Sequence, residues 1–134
     1  MTDEGKQPVA SDRKATGDRG EELAAKFLLR KGFRILERNY RSRRGEIDII
    51  ARKGKTVAFV EVKTDRTGRF GAPKGWVTLR KQRQIAKMAS KYLQEKSLVG
   101  VDLRFDVIGI SLREGKPEIE HIEDAFWAPN GKWG

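Results

Sequence analysis

The stretch GEIDIIARKGKTVAFVEVK, residues 45–63, holds two apolar runs separated by a Lys-Gly turn, the pattern of a β-hairpin. Burial alone does not explain what interrupts those runs. Glu46, Asp48 and Glu61 lie inside them, and Lys63 ends the second. Side chains alternate along a strand, so Glu46, Asp48 and Ile50 share one face of the first run, and Val57, Phe59, Glu61 and Lys63 share one face of the second. A two- or four-residue loop centred on Lys53-Gly54 puts Asp48 opposite Phe59 and Glu46 opposite Glu61. Asp48 and Glu61 are then diagonal neighbours with Cβ atoms about 7 to 8 Å apart, near enough to share one ion. A three-residue loop sends them to opposite faces instead.

Before the hairpin, FRILERNY (33–40) reads as a strand and RSRRG (41–45) as a basic loop. A first helix is expected from about Gly17 to Lys31, stopped by Gly32. After the hairpin, TDRTGRFGAPKGW (64–76) is a Gly-rich loop long enough to be functional. Thr78 is placed to N-cap a second helix running to about Gln94. LRFDVIGISL (103–112) is a strand, REGK turns the chain, and a last short strand lies near PEIEHI (117–122). The order α-β-β-β-α-β-β contains a parallel βαβ unit, so the fold class is α/β, with a mixed sheet of about five strands flanked by helices. Residues 17–127 form the single domain in this reading, with a disordered tail at 1–16 and a loose end at 128–134.

The helices carry misfits of their own. At about 100° per residue, Leu23, Ala24, Ala25, Phe27, Leu28 and Leu29 define the apolar arc of the first, and Glu21 falls inside it while Glu22 does not. On the second, Gln82 lies in the apolar arc and Lys81 at its edge, beside Met88 and Tyr92. Both belong to the first turn, from which a side chain reaches the rim of a sheet. Each misfit also has a structural reading. First-turn residues are often exposed whatever their angular position, Glu46 suits a strand end, and Glu61 and Lys63 can pair along one strand. Asp48 lies mid-strand between apolar neighbours, and an unpaired buried carboxylate costs several kcal/mol.

The 134 residues carry 29 Lys and Arg against 19 Asp and Glu, a net charge of +10 that favours polyanionic partners. There is no cysteine, which excludes disulfides and thiolate metal sites and suits a reducing compartment. No apolar run is long enough for a membrane helix, and the N-terminal residues lack the hydrophobic segment of a secretion signal. A cytoplasmic protein with no membrane partner is the expectation. Two or three oxygen ligands without His or Cys suit a hard cation, Mg²⁺ or Mn²⁺. A neighbouring ammonium can orient a water or stabilise charge on a phosphoryl group, so the combination points to metal-assisted phosphodiester hydrolysis.

With Ile47-Asp48 where the signature has Pro-Asp, and Glu61-Val62-Lys63 completing it, the stretch resembles the PD-(D/E)xK nuclease motif. More specifically, GDRGEELAAKFL, RNYRSRRGEIDIIA, FVEVKT, RFGAP, VTLRKQRQI, RFDVIGI and HIEDAF are together similar to the YraN-like family of uncharacterised bacterial proteins, over Gly17 to Trp127. That family resembles archaeal Holliday-junction resolvases and restriction-endonuclease-like proteins. The resemblance implies a restriction-endonuclease-like sheet, with Asp48 and Glu61 as metal ligands and Lys63 as the catalytic lysine. It further implies the Val62 carbonyl as a ligand, Glu21 as the helix glutamate near the metal, and Lys81 and Gln82 as the basic and amide positions of the following helix. The implied activity is a Mg²⁺- or Mn²⁺-dependent endonuclease on DNA, branched or damaged DNA included. Resolvases make two incisions as symmetric dimers, so a homodimer is a further expectation.

Arg41, Arg43 and Arg44 before the hairpin, and Arg66, Arg69 and Lys74 after it, are positioned to hold phosphates on either side of the acidic cluster, with Lys81 alongside. Phe70 and Trp76 either stack on bases or pack their loop onto the domain. Arg83, Lys87 and Lys91 fit a solvated helix face. His121, the only histidine, reads as structural, and Arg104 with Asp106 as an internal ion pair. Two further functions fit the same residues: a nucleic-acid-binding module that keeps the fold without turnover, and a basic scaffold whose carboxylates form only an ion network.

Overall fold

A computed structural model describes residues 10–65, 77–112 and 116–126, with side chains from residue 17 onward. Two helices, α1 (Ala10–Arg30) and α2 (Leu79–Glu95), cover opposite faces of a five-stranded sheet. The strands are β1 (Arg34–Ser42), β2 (Gly45–Lys53), β3 (Thr56–Asp65), β4 (Asp102–Ser111) and β5 (Glu118–Phe126), in spatial order β1-β2-β3-β4-β5. All neighbours are antiparallel except β3 and β4, the parallel pair joined through α2. This is the expected α/β order.

Alternation sorts the central strands between two cores. Val57, Phe59, Phe105 and Val107 meet Ile85, Met88, Ala89 and Tyr92 of α2. Ala58, Val60, Ile108 and Ile110 meet Ala24, Ala25 and Leu28 of α1. A strand buried on both faces needs this near-continuous apolar sequence. Helix α1 ends in a Schellman motif, with Phe33 N–H donating to Leu28 O and Gly32 N–H to Leu29 O, each 3.0 Å. Helix α2 begins at Thr78, whose hydroxyl accepts from Lys81 N–H at 3.2 Å.

Three boundaries differ from the sequence reading. Helix α1 starts at Ala10, upstream of Gly17. Residues 10–16 lack an apolar stripe to announce a helix, but adding turns to a nucleated helix costs little. Strand β1 continues through Arg41 and Ser42, which had read as loop, because an edge strand accommodates charged side chains. The main hairpin pairs Lys53 with Thr56, so its two-residue turn is Gly54-Lys55 rather than one centred on Lys53-Gly54. Gly54, at φ +61°, takes the first turn position, where a left-handed backbone matches the twist of the strands.

One buried charge belongs to the fold alone. Asp106 is fully buried and accepts two hydrogen bonds from Arg104, at 2.9 Å each, one from His121 Nε2 at 2.8 Å and one from Asp124 N–H at 3.0 Å. Burial pushes its carboxyl up, and the bonds from His121, Arg104 and Asp124 more than offset this, holding it below its ordinary value. Lys31 donates to the other ring nitrogen of His121 at 2.8 Å. The sequence reading of His121 and of the Arg104–Asp106 pair as structural describes this network.

Candidate metal and phosphate site

The site forms where β2 parts from β3. Their pairing runs from Lys53–Thr56 to Ile49–Val60 and stops. Extended by one step, that register would set Asp48 beside Glu61 in place of the diagonal the Lys53-Gly54 turn implied, but the alternation of β2 breaks there, with Ile47 packed in the α2 core and Ile49 in the α1 core. In place of a backbone partner, Val62 N–H donates to Asp48 Oδ2 at 2.8 Å. The Val62 carbonyl lies on the same strand edge as its N–H and so faces the same gap.

Glu61 is the most constrained group. Its side chain is 13% exposed and its Oε1 is buried with no hydrogen-bond partner. Burial first, and then the Asp48 charge, push its pKa to about 7 against the relief from Lys81 and Lys63. Lys81 Nζ lies 3.6 Å from Glu61 Oε2. Asp48 is likewise raised, chiefly by burial, with Val62 N–H as the main opposing influence and Glu46 adding to the rise. Lys63 is exposed, on the Glu61 face, and its charge is felt by both carboxylates.

Glu21 comes from the other layer. Its carboxylate accepts from Asn39 Nδ2 at 2.9 Å, and its pKa is pushed to about 7 by burial, then by Asp48 and Glu46. Asn39 was missed by the sequence reading, although asparagine is unusual within a strand and tolerates left-handed backbone. It adopts φ +54°. Positions 38 and 40 should share a face, yet Arg38 bonds Glu22 of α1 at 3.1 Å while Tyr40 packs edge-on against Tyr92 of α2. The kink at Asn39 breaks the alternation and turns its amide toward Glu21.

The remaining residues divide. Glu46 is held by Arg41 at 2.7 Å instead of opposing Glu61. Gln82 donates its amide to the Val77 carbonyl at 2.9 Å. Arg43 and Arg44 form the β1–β2 turn, across a cleft of about 990 Å³ from α2. Arg66, Arg69, Lys74, Phe70 and Trp76 lie outside the described residues. Among the described residues, no three His, Asp or Glu side chains stand close enough to form a metal cage. The expected convergence of Glu21, Asp48 and Glu61 is therefore looser than a ligand triad, because Glu21 approaches from the α1 layer and is tethered to Asn39.

The donor set still fits a hard cation. Mg²⁺ commonly takes one or two carboxylates and fills its shell with water and substrate oxygens. Glu61 Oε1, buried and unpaired near the half-buried Asp48 carboxylate, is an oxygen that a divalent cation would satisfy.

Comparison with known proteins adds a family. A model described as "Uncharacterised protein family UPF0102" matches residues 20–110. A UPF0102 protein of Geobacter sulfurreducens is 54% identical over 114 residues, covering 84% of this chain and 89% of the relative. One from Geotalea daltonii is 50% identical over 127 residues, covering 94% and 97%. One from Rhodococcus opacus is 47% identical over 113 residues, covering 84% and 96%.

Proposed function

The chain belongs to the uncharacterised protein family UPF0102, the YraN-like family its motifs resemble, and on that premise we propose a metal-dependent endonuclease hydrolysing phosphodiester bonds in DNA. The observation that carries this reading is the Asp48 and Glu61 carboxylates gathered where the β2–β3 ladder ends. Two half-buried carboxylates stand near enough for the Asp48 charge to act on Glu61, which has one buried oxygen without a hydrogen-bond partner, and two lysines lie beside them. A protein that needed only stability would gain by losing one of them.

Asp48, Glu61 and the Val62 carbonyl are the groups that would hold Mg²⁺ or Mn²⁺, and the bound ion supplies Lewis-acid neutralisation of charge at the phosphoryl oxygens. Lys81 holds one oxygen of Glu61 and so fixes the carboxylate's rotation. Lys63, exposed at the mouth, donates to a phosphoryl oxygen or orients the attacking water. Glu21, poised near pH 7, exchanges a proton at neutral pH, the condition for efficient general acid–base work. The lack of a three-residue cage among the described residues favours the competing reading, a nucleic-acid-binding module without turnover.

A cleavage screen separates the two. Junction, flap, single-stranded and duplex DNA are incubated with the protein and Mn²⁺, beside Asp48→Asn and Lys63→Ala. Asn is the better replacement at 48, because its side-chain oxygen still accepts from Val62 N–H. The expected result is product from the wild type and a fall of at least a hundredfold in both variants, with DNA binding kept. Identical product from all three, or none from the wild type, rules the enzyme out.

A further inference from the structure

The cleft between the β1–β2 turn and α2 has a second wall that the sequence reading left as a solvated surface. Arg43 and Arg44 line one side, and Arg80, Arg83, Lys87 and Lys91 line the other. Glu95 is the one acid among the lining residues, and it accepts from the Tyr40 hydroxyl at 3.1 Å. Lys91 lies 4.0 Å from Glu95. Arg43, Arg44, Arg80, Arg83 and Lys87 have no ion-pair partner among the described residues.

Helix electrostatics add to this. Helix α2 has no acid in its first turn and no base in its last. It places Arg80, Lys81 and Arg83 at its positive end and Glu95 at its negative end. That polarity is the reverse of what stabilises a helix, by about 0.3 to 1 kcal/mol per charge. Arg80 to Lys91 covers about 16 Å of helix axis, comparable to about five phosphate steps of one B-form strand. Single-strand binders present aromatic faces for unstacked bases. Here the lining aromatic, Tyr40, is already edge-on to Tyr92 at 5.2 Å and bonded to Glu95.

We propose that this cleft seats the phosphate backbone of a duplex nucleic-acid arm, gripped between the Arg43–Arg44 turn and the outer face of α2 without reading its bases. The inference rests on the nucleic-acid half of the function proposed above and not on cleavage. Lys81 belongs to the same helix and pairs with Glu61, so a duplex along this wall leads its backbone toward the Asp48–Glu61 gap.

The test reads binding alone. Anisotropy of a labelled 20-base-pair DNA duplex is titrated with the full chain in EDTA, over a range of salt. The groove variant Arg83→Gln/Lys87→Gln/Lys91→Gln is compared with Lys26→Gln/Arg34→Gln/Lys55→Gln, equal in charge but on other surfaces. Arg43→Gln/Arg44→Gln probes the opposite wall. Both groove variants are expected to bind at least about tenfold more weakly at 0.15 M salt, with the triple variant's log–log salt slope reduced by about 2.7, or 0.9 per lost phosphate contact. The control triple is expected to stay within about threefold, and a single strand of equal length to bind more weakly than the duplex. Equal losses in groove and control variants, or a preference for the single strand, overturn the proposal. Binding that follows these expectations without any cleavage activity upholds the groove and removes the enzyme. No binding by the wild type removes both.

Discussion

Asp48 does two jobs that pull in opposite directions. Its carboxylate replaces the missing backbone partner of Val62 and thereby ends the β2–β3 ladder in an ordered way. Its charge also adds to the rise of the Glu61 pKa, which burial chiefly drives, to about 7. Glu61 and Glu21 both have folded pKa values above the ordinary 4.5, so the folded state binds protons more tightly than the unfolded chain. Stability contributed by these two groups is therefore greatest below about pH 4.5 and is lost as pH rises toward 7. In EDTA, the melting temperature of wild type relative to Glu61→Gln should fall across that window. A difference independent of pH would mean that Glu61 is not held protonated by the fold.

The contact between α1 and β3 sets where Glu21 can be. Gly20 lies against Thr64, and a Cβ added to Gly20 would overlap the Thr64 hydroxyl. A side chain at residue 20 must push the helix off the strand or turn the threonine. Gly20→Ala is expected to cost about 1 to 3 kcal/mol in urea unfolding, as overpacked sites do. Thr64→Ala in the same chain should recover most of the loss, since the double variant removes the clashing group. Additive losses from the two substitutions would place the strain elsewhere. The β1–β2 hairpin depends on an element-level contact of the same kind: Tyr40 packs on Tyr92 and bonds Glu95, which seats the basic turn against α2.

Among the described residues, β2 and β3 part beyond Ile49–Val60, and Asp48 and Glu61 lie at that parting. Binding of a cation there would link β2 to β3 beyond the end of their ladder and couple metal affinity to global stability. At a concentration one hundred times its dissociation constant, an ion that binds only the folded chain stabilises it by about 2.7 kcal/mol. Mn²⁺ should therefore raise the melting temperature of wild type by several degrees at neutral pH, with little change for Asp48→Asn. Equal shifts for both proteins would indicate ion binding unrelated to the gap.

Much of this was legible in the order of residues. Apolar runs marked β2, β3 and β4, the Thr78 cap and Gly32 marked helix ends, and the nearness of Asp48 to Glu61 followed from the hairpin itself. These are local properties, set by backbone geometry within a few residues. Long-range packing decided the rest. The step to the Gly54-Lys55 turn, the Asn39 kink that presents an amide to Glu21, and the loose approach of Glu21 in place of a triad depend on how two layers meet across a twisted sheet. The same holds for the basic cleft, since Arg43 and Lys87 are far apart in the chain. Nothing in local periodicity encodes their facing one another; only the docking of the hairpin on α2 does.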